Sequence, residues 1–241
     1  MSTDPLNTGL SALEAYSTSI DVSANNVANV GTTGFQAQSV EFENIYAGAV
    51  AARISTNSAA GGLDPTGTAT NVAIAGPGFF VLQGPSGSTT YTRDGNFVPS
   101  ANGFLVDAAS GFAVQGASGG PIAIPSGVSA LAIGADGTVT GTLPSGQATT
   151  FGRVALAAFQ NPGGLLRTGG GYQASANSGS VLLGAPATAG YGSLISGFLE
   201  SSNVDIADEM VKMIASQAAF DANAKSVRTA DQMLKTTLNI D

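Results

Sequence analysis

Side chains able to do chemistry are scarce in this chain. It has no histidine and no cysteine. That removes Ser-His and Cys-His nucleophile systems, thiolate zinc sites and the commonest metal ligand. A Ser-Lys pair needs a lysine in the middle of the chain, but Lys212, Lys225 and Lys235 all lie near the C-terminus. Paired carboxylates could still do general acid–base work. Between residues 51 and 199 the acids are Asp64, Asp94, Asp107 and Asp136. Three of them sit in or beside turn motifs, where an aspartate bonds its own backbone. Gly169-Gly170-Gly171 lacks the strand–turn–helix setting and the lysine of a phosphate loop. The expectation is therefore a protein that is not an enzyme, with no catalytic residues, no cofactor and no metal site.

The strongest pattern lies at the two ends. Leu6, Leu10, Leu13, Ser17, Ile20, Ala24 and Val27 follow alternating steps of four and three. Ile206, Met210, Met213, Gln217, Phe220, Ala224, Val227, Asp231, Leu234 and Leu238 do the same. A repeat of about 3.5 residues keeps one apolar stripe facing a partner helix. Pro5 suits a first helical turn with Thr3 or Asp4 as its cap, and Gly31 suits a C-terminal stop. About 25 helical residues give a rod of roughly 38 Å. A second helix of about 35 residues, capped by Ser202 or Asn203, gives roughly 53 Å. The spacing predicts that the two pair as a coiled coil. Ser17, Gln217 and Asp231 interrupt the stripe, while Val211, Ile214, Ala218 and Met233 add apolar surface beside it. Extra apolar surface marks further contacts, so the pair is expected to pack on neighbouring copies; a self-contained hairpin is the alternative.

Net charge is −8, and its location is informative. Residues 1–50 hold Asp4, Glu14, Asp21, Glu41 and Glu43 and no base, while residues 51–199 hold four acids and four bases. The excess sits on the terminal segments. That disfavours nucleic acid and an anionic membrane surface as partners. No apolar run is long enough to span a membrane, and the first residues lack the basic and apolar regions of a secretory signal peptide.

Between the ends the texture is β. Asp94-Gly95, Asn102-Gly103, Asp136-Gly137, Ser86-Gly87, Ser126-Gly127 and Ser145-Gly146 punctuate short apolar runs. Their spacing of roughly 8–12 residues is that of a sandwich or barrel. Strands are expected at 72–75, 79–83, 89–92, 104–107, 112–115, 122–124, 130–133 and 151–159. The fold class is α+β: long N- and C-terminal helices paired as a coiled coil, plus a central all-β domain. The expected parts are an N-terminal helix in 1–31, an extended connector in 32–70 with one or two strands, a β-rich outer domain in 71–185, a linker in 186–201 and a C-terminal helix in 202–241.

Four segments together resemble one family. Ser23-Ala-Asn-Asn-Val-Ala-Asn-Val-Gly-Thr-Thr-Gly-Phe35 resembles the N-terminal signature of bacterial flagellar rod and hook proteins. Val72-Ala-Ile-Ala-Gly-Pro-Gly-Phe-Phe80 and Tyr91-Thr-Arg-Asp-Gly-Asn-Phe97, followed by Asn102-Gly103, are similar to the start of the family's β-domain. Glu200-Ser-Ser-Asn-Val-Asp-Ile-Ala-Asp-Glu-Met-Val211, Ala222-Asn-Ala-Lys-Ser-Val227 and Ala230-Asp-Gln-Met-Leu234 look like its C-terminal helix. The resemblance implies paired terminal helices lining a tubular filament, with a β-rich outer wall. It implies copies of the same chain, other flagellar rod and hook subunits and the flagellar type III export apparatus as partners. Localisation would be the flagellar basal body, or the cell exterior for a hook. The family-motif residues are Asn25, Asn26, Asn29, Gly34, Phe35, Asn203 and Val204. The three asparagines lie where the first helix ends, either as caps and turn formers or as the groups that fix the connector's angle.

Length suits a rod protein, and residues 121–183 resemble distal rod more than hook. The segment from Phe42 to Val72 is short for a distal rod protein, so distal rod, proximal rod and a short hook protein stay open. A secreted β-domain binding module or hydrolase that oligomerises through its helical ends is the alternative of another class.

Overall fold

The computed structural model describes residues 5–44, 50–84, 87–169 and 171–238. Thr3, Asp4, Ser86, Gly170 and the side chains of Leu6, Leu234 and Leu238, all invoked above, lie outside this description. The chain forms two units. The first comprises Met1–Val30, Ala37–Asn57 and Val204–Asp241; the second comprises Gly31–Gln36 and Ser58–Asn203.

The first unit is built from α1 (Pro5–Ala28), a hairpin of β1 (Gln38–Asn44) and β2 (Val50–Thr56), and α2 (Ile206–Leu238). The hairpin is antiparallel, with Gln38 opposite Thr56. It occupies part of the segment expected as an extended connector. Helix α2 starts later than expected. Its cap is Asp205, whose carboxylate accepts the N–H groups of Ala207 (2.8 Å) and Asp208 (3.3 Å), rather than Ser202 or Asn203. Asp208 and Glu209 in its first turn suit the positive end of the helix dipole. Helices α1 and α2 lie antiparallel along each other: Ser19 meets Ser216, and Gly9 faces Val227.

The strands of the second unit pair antiparallel, and one 3-10 turn, Pro162–Gly164, lies among them. Its first strands are β3 (Leu63–Pro65), β4 (Val72–Ala75), β5 (Phe79–Gln83), β6 (Thr89–Thr92), β7 (Phe97–Pro99), β8 (Leu105–Asp107) and β9 (Ala113–Val114). Then come β10 (Ser129–Ile133), β11 (Thr138–Thr142), β12 (Ala148–Arg153), β13 (Leu156–Ala158), β14 (Leu166–Thr168) and β15 (Gly171–Gln173). The last are β16 (Leu182–Gly184), β17 (Ser193–Ser196) and β18 (Phe198–Glu200). The main sheet runs β14-β15-β6-β5-β9-β8-β7, with β13 pairing both β5 and β16. Strands β10-β11-β12 form a separate meander, β17 pairs β4, and β18 pairs β3. Residues 186–201, expected as a linker, thus hold two strands. Their apolar content (Leu194, Ile195, Phe198, Leu199) is too short a signal to stand out among glycines.

Strand β5 shows why this sheet forms. Side chains alternate between faces along a strand. Phe80 and Leu82 join a core with Val72, Ile74, Phe97, Leu105, Val139 and Leu156. Phe79 and Val81 join a second core with Tyr91, Ala157, Leu165 and Tyr172. A strand covered on both faces reads as an unbroken apolar run, which Phe79-Phe80-Val81-Leu82 is. The turn aspartates do local work. Asp94 accepts the N–H of Asn96 (3.0 Å), Asp107 that of Ser110 (2.8 Å) and Asp136 that of Thr138 (3.1 Å).

Candidate assembly site

Within the second unit, the family-like motifs converge on one buried ion pair. Arg93 follows β6, and its side chain is 4% exposed. Its Nε donates to Glu200 Oε2 at 2.9 Å. Its Nη1 donates to the carbonyls of Gly76 (3.0 Å) and Gly78 (2.7 Å). Glu200 Oε1 accepts the N–H of Gly61 at 3.1 Å, and the Glu200 carbonyl accepts the N–H of Gly34 at 2.7 Å. Both charges are therefore buried and held by several hydrogen bonds each, the condition under which a buried pair is tolerated.

Gly34 sits at φ +65° with its α-carbon against the Arg93–Asp94 backbone; a Cβ there would lie 2.4 Å from the Asp94 nitrogen. Only glycine meets both demands. Phe35 is buried beneath the Arg167 guanidinium, 3.8 Å from ring centroid to Cζ. Asn203 donates its main-chain N–H to the Phe35 carbonyl (3.3 Å) and its side-chain amide to the Ala59 carbonyl (2.7 Å). Gly34, Phe35 and Asn203, named from sequence, thus meet in one place. Arg93 and Glu200, which join them, were missed, although both lie inside the motifs. The available signal was a lone charge in an apolar strand, as in Phe198-Leu199-Glu200.

In the first unit, Asn26 is the joint. It is fully buried. Its Nδ2 donates to the Gln38 carbonyl (2.7 Å) and its Oδ1 accepts the Gln38 N–H (2.9 Å). This two-point clasp fixes the start of β1 against the end of α1. Asn29 donates to the Asn25 carbonyl at 2.8 Å, closing the helix end, while Asn25 is itself exposed. Val204 is half-buried just ahead of the cap. Glu209 packs beside Asn26 and Ser23. Burial pushes its carboxyl up, but hydrogen bonds from Lys212, Asn26 and Ser23 outweigh that and hold it below the ordinary carboxylate value.

The face that joins α1 to α2 coincides with the predicted stripe only in part. On α1 the buried row is Ala12, Ala15, Ser19, Val22 and Asn26. On α2 the covered row is Glu209, Met213, Ser216, Phe220, Asn223 and Val227. Both rows keep steps of four and three. Met213, Phe220 and Val227 belong to the predicted seam, but Ile206 (44%), Met210 (54%) and Leu10 (54%) stand exposed, as do Ser17, Ala24 and Gln217. Leu13, Ile20, Val27, Ala224 and Asp231 are half-buried. The reason is size and polarity. Small residues let the helices approach: a Cβ on Gly9 would lie 2.4 Å from Val227 Cγ2. The polar members satisfy each other, with Ser19 and Ser216 hydroxyls 2.9 Å apart. An apolar periodicity search does not see Gly9, Ser19 or Ser216.

Comparisons with known proteins fall on the same segments. The family "Flagella basal body rod protein" matches residues 6–36, which hold Asn26, Gly34 and Phe35. "Flagellar hook protein FlgE/F/G D1 domain" matches 73–141, with Gly76, Gly78 and Arg93. "Flagellar basal body rod FlgEFG protein C-terminal" matches 195–240, with Glu200, Asn203 and all of α2. Flagellar basal-body rod protein FlgG of Bacillus subtilis is 34% identical over 260 aligned residues, covering 98% of each chain. That of Caulobacter vibrioides is 33% identical over 96% of this chain and 97% of its own. Flagellar hook protein FlgE of Borreliella burgdorferi is 42% identical over 101 residues, which is 42% of this chain and 23% of that protein. The likeness to rod proteins runs end to end and the likeness to hook protein does not, so this chain belongs to the flagellar basal-body rod protein family.

Proposed function

We propose that this chain is a structural subunit of the bacterial flagellar basal-body rod, that copies of it assemble into a hollow helical tube, and that the tube transmits torque and passes exported subunits. The observation that carries this is the apolar surface left on unit one. Leu10, Ile206, Met210, Val211, Ile214 and Met233 are between 44% and 68% exposed on helices already joined by another face. Such a surface on a monomer marks a protein interface. Here it gathers on the first turns of α2, at Ile206, Met210, Val211 and Ile214, so the exposed part of the predicted seam (Leu10, Ile206 and Met210) serves contacts between copies while the small, polar row serves the pair within one copy. Ser17, Gln217 and Asp231 then take subunit or lumen contacts.

Other rod and hook subunits are the further partners, and the flagellar type III apparatus is the route of export. No helix among the described residues is long and apolar enough to cross a membrane. Electron microscopy of purified hook–basal bodies, with this subunit labelled, tests the assignment. Label is expected along the rod; label confined beyond the outer membrane ring would make it a hook subunit instead. Deleting residues 1–30 separates a rod subunit, which loses incorporation and motility, from a binding module, which keeps its ligand.

A further inference from the structure

Within the assembly reading just proposed, the charges of unit one identify which face of a copy meets which face of the next. Helix α1 carries Glu14 and Asp21, both exposed and without an ion-pair partner among the described residues. They are seven residues apart, two turns along one side, and that side is turned away from the Ala12–Ala15–Ser19 row. Around them lie exposed Leu10 and half-buried Leu13 and Ile20. No base occurs anywhere in residues 1–50. Helix α2 carries four bases. Lys212 pairs with Glu209 and Lys235 with Asp231, each at 2.7 Å. Lys225 and Arg228 are exposed, with no acid paired to them among the described residues. They lie one turn apart, on the side of α2 away from α1, along with exposed Met210 and Ile214; exposed Asp221 lies one turn before Lys225 on the same side, so this face carries two bases and one acid and is net positive.

We infer that the acid-bearing outer face of α1 in one copy packs on the base-bearing outer face of α2 in a second copy. Each face offers apolar side chains with charges beside them, and the net charges of the two faces are opposite in sign. The α1 face carries acids alone and would repel another of its own kind, which disfavours a closed two-fold dimer through it. An interface between two different faces of one chain is heterologous and propagates, as a filament requires. Complementary charge selects the partner and speeds encounter more than it adds affinity.

The test uses the purified full-length chain, with polymer measured by sedimentation over a range of protein concentration. The α1 variant is Glu14→Lys with Asp21→Lys; the α2 variant is Lys225→Glu with Arg228→Glu. Each alone presents two faces of like charge, and its critical concentration should rise by about tenfold or more. An equimolar mixture of the two restores opposite charges at every contact, so it should polymerise near the wild-type threshold, as should the chain carrying all four changes. Raised salt should weaken wild type and mixture together. Variants that polymerise like wild type, or a mixture and fourfold chain that stay soluble while wild type polymerises, would overturn this pairing of faces and leave the assembly reading standing. A wild-type chain that forms no polymer would sink both.

Discussion

Replacing Glu200 by glutamine is the most direct probe of the junction in the second unit. The change keeps shape and leaves an oxygen to accept the Gly61 N–H, but it strips Arg93 of its counter-charge at a site where both side chains are at most 4% exposed. At 2.9 Å and an effective dielectric of about 20, the lost attraction is of order 6 kcal/mol gross. The surviving hydrogen bonds to Gly76 and Gly78 offset part of this, so the expected net loss is about 3–4 kcal/mol, within the range for orphaning one member of a buried pair. For a unit of this size that corresponds to a fall of roughly 10 °C in melting temperature. Thermal unfolding followed by near-ultraviolet circular dichroism reads it through tyrosine, since the chain has no tryptophan and Tyr91, Tyr172 and Tyr191 lie in this unit. Arg93→Met should cost at least as much. The double variant with Met at both positions should cost less than the sum of its singles by about 2 kcal/mol or more, because no unpaired charge remains. An Arg93/Glu200 pair whose single losses simply add, or a Glu200→Gln variant melting within about 2 °C of wild type, would refute the claim that this pair locks the junction.

Two further outcomes are expected. Gly9→Ala gains about 1 kcal/mol of helix propensity but drives a methyl into the stiff Val227 side chain, a clash worth about 1–3 kcal/mol; helical signal in urea should show a net loss that Val227→Ala relieves, and a Gly9→Ala chain more stable than wild type would contradict the close approach. Burial raises the Asp94 carboxyl above its ordinary value, with Asp107 nearby adding to the shift and hydrogen bonds from Asn96 and Thr33 opposing it. The folded state therefore holds this proton more tightly than the unfolded state, so the ionised group costs stability at neutral pH and that cost fades as pH falls through its value; Asp94→Asn should melt higher than wild type near pH 7 and lose that advantage towards about pH 4, and a pH-independent difference would count against it.

Much of this was legible in the sequence, for identifiable reasons. Strand β5 was visible because burial on both faces forces an unbroken apolar run. The turns after Asp94 and Asp136 were visible because Asp-Gly has few other uses. The terminal helices were visible through their leucines and methionines. Which face of each helix meets the other was not, because Ala12, Ala15, Ser19, Glu209 and Ser216 pair by being small or by bonding each other, and neither property shows as hydrophobicity. The Arg93–Glu200 contact was hidden by sequence separation. Glu200 stands out as a lone charge beside Phe198 and Leu199, but nothing in the sequence names Arg93 as its partner, and only the fold takes both out of water.

That same contact governs timing. Arg93 has no permanent counter-charge until residue 200 is available, and Gly34 and Gly61 draw on the same glutamate. An earlier collapse of the β-strands would enclose a bare guanidinium, which is strongly unfavourable. Contacts this distant along the chain also form slowly. The second unit is consequently a lock that its own C-terminal strand must close, and a chain that emerges from its N-terminus stays unlatched until residue 200 has emerged.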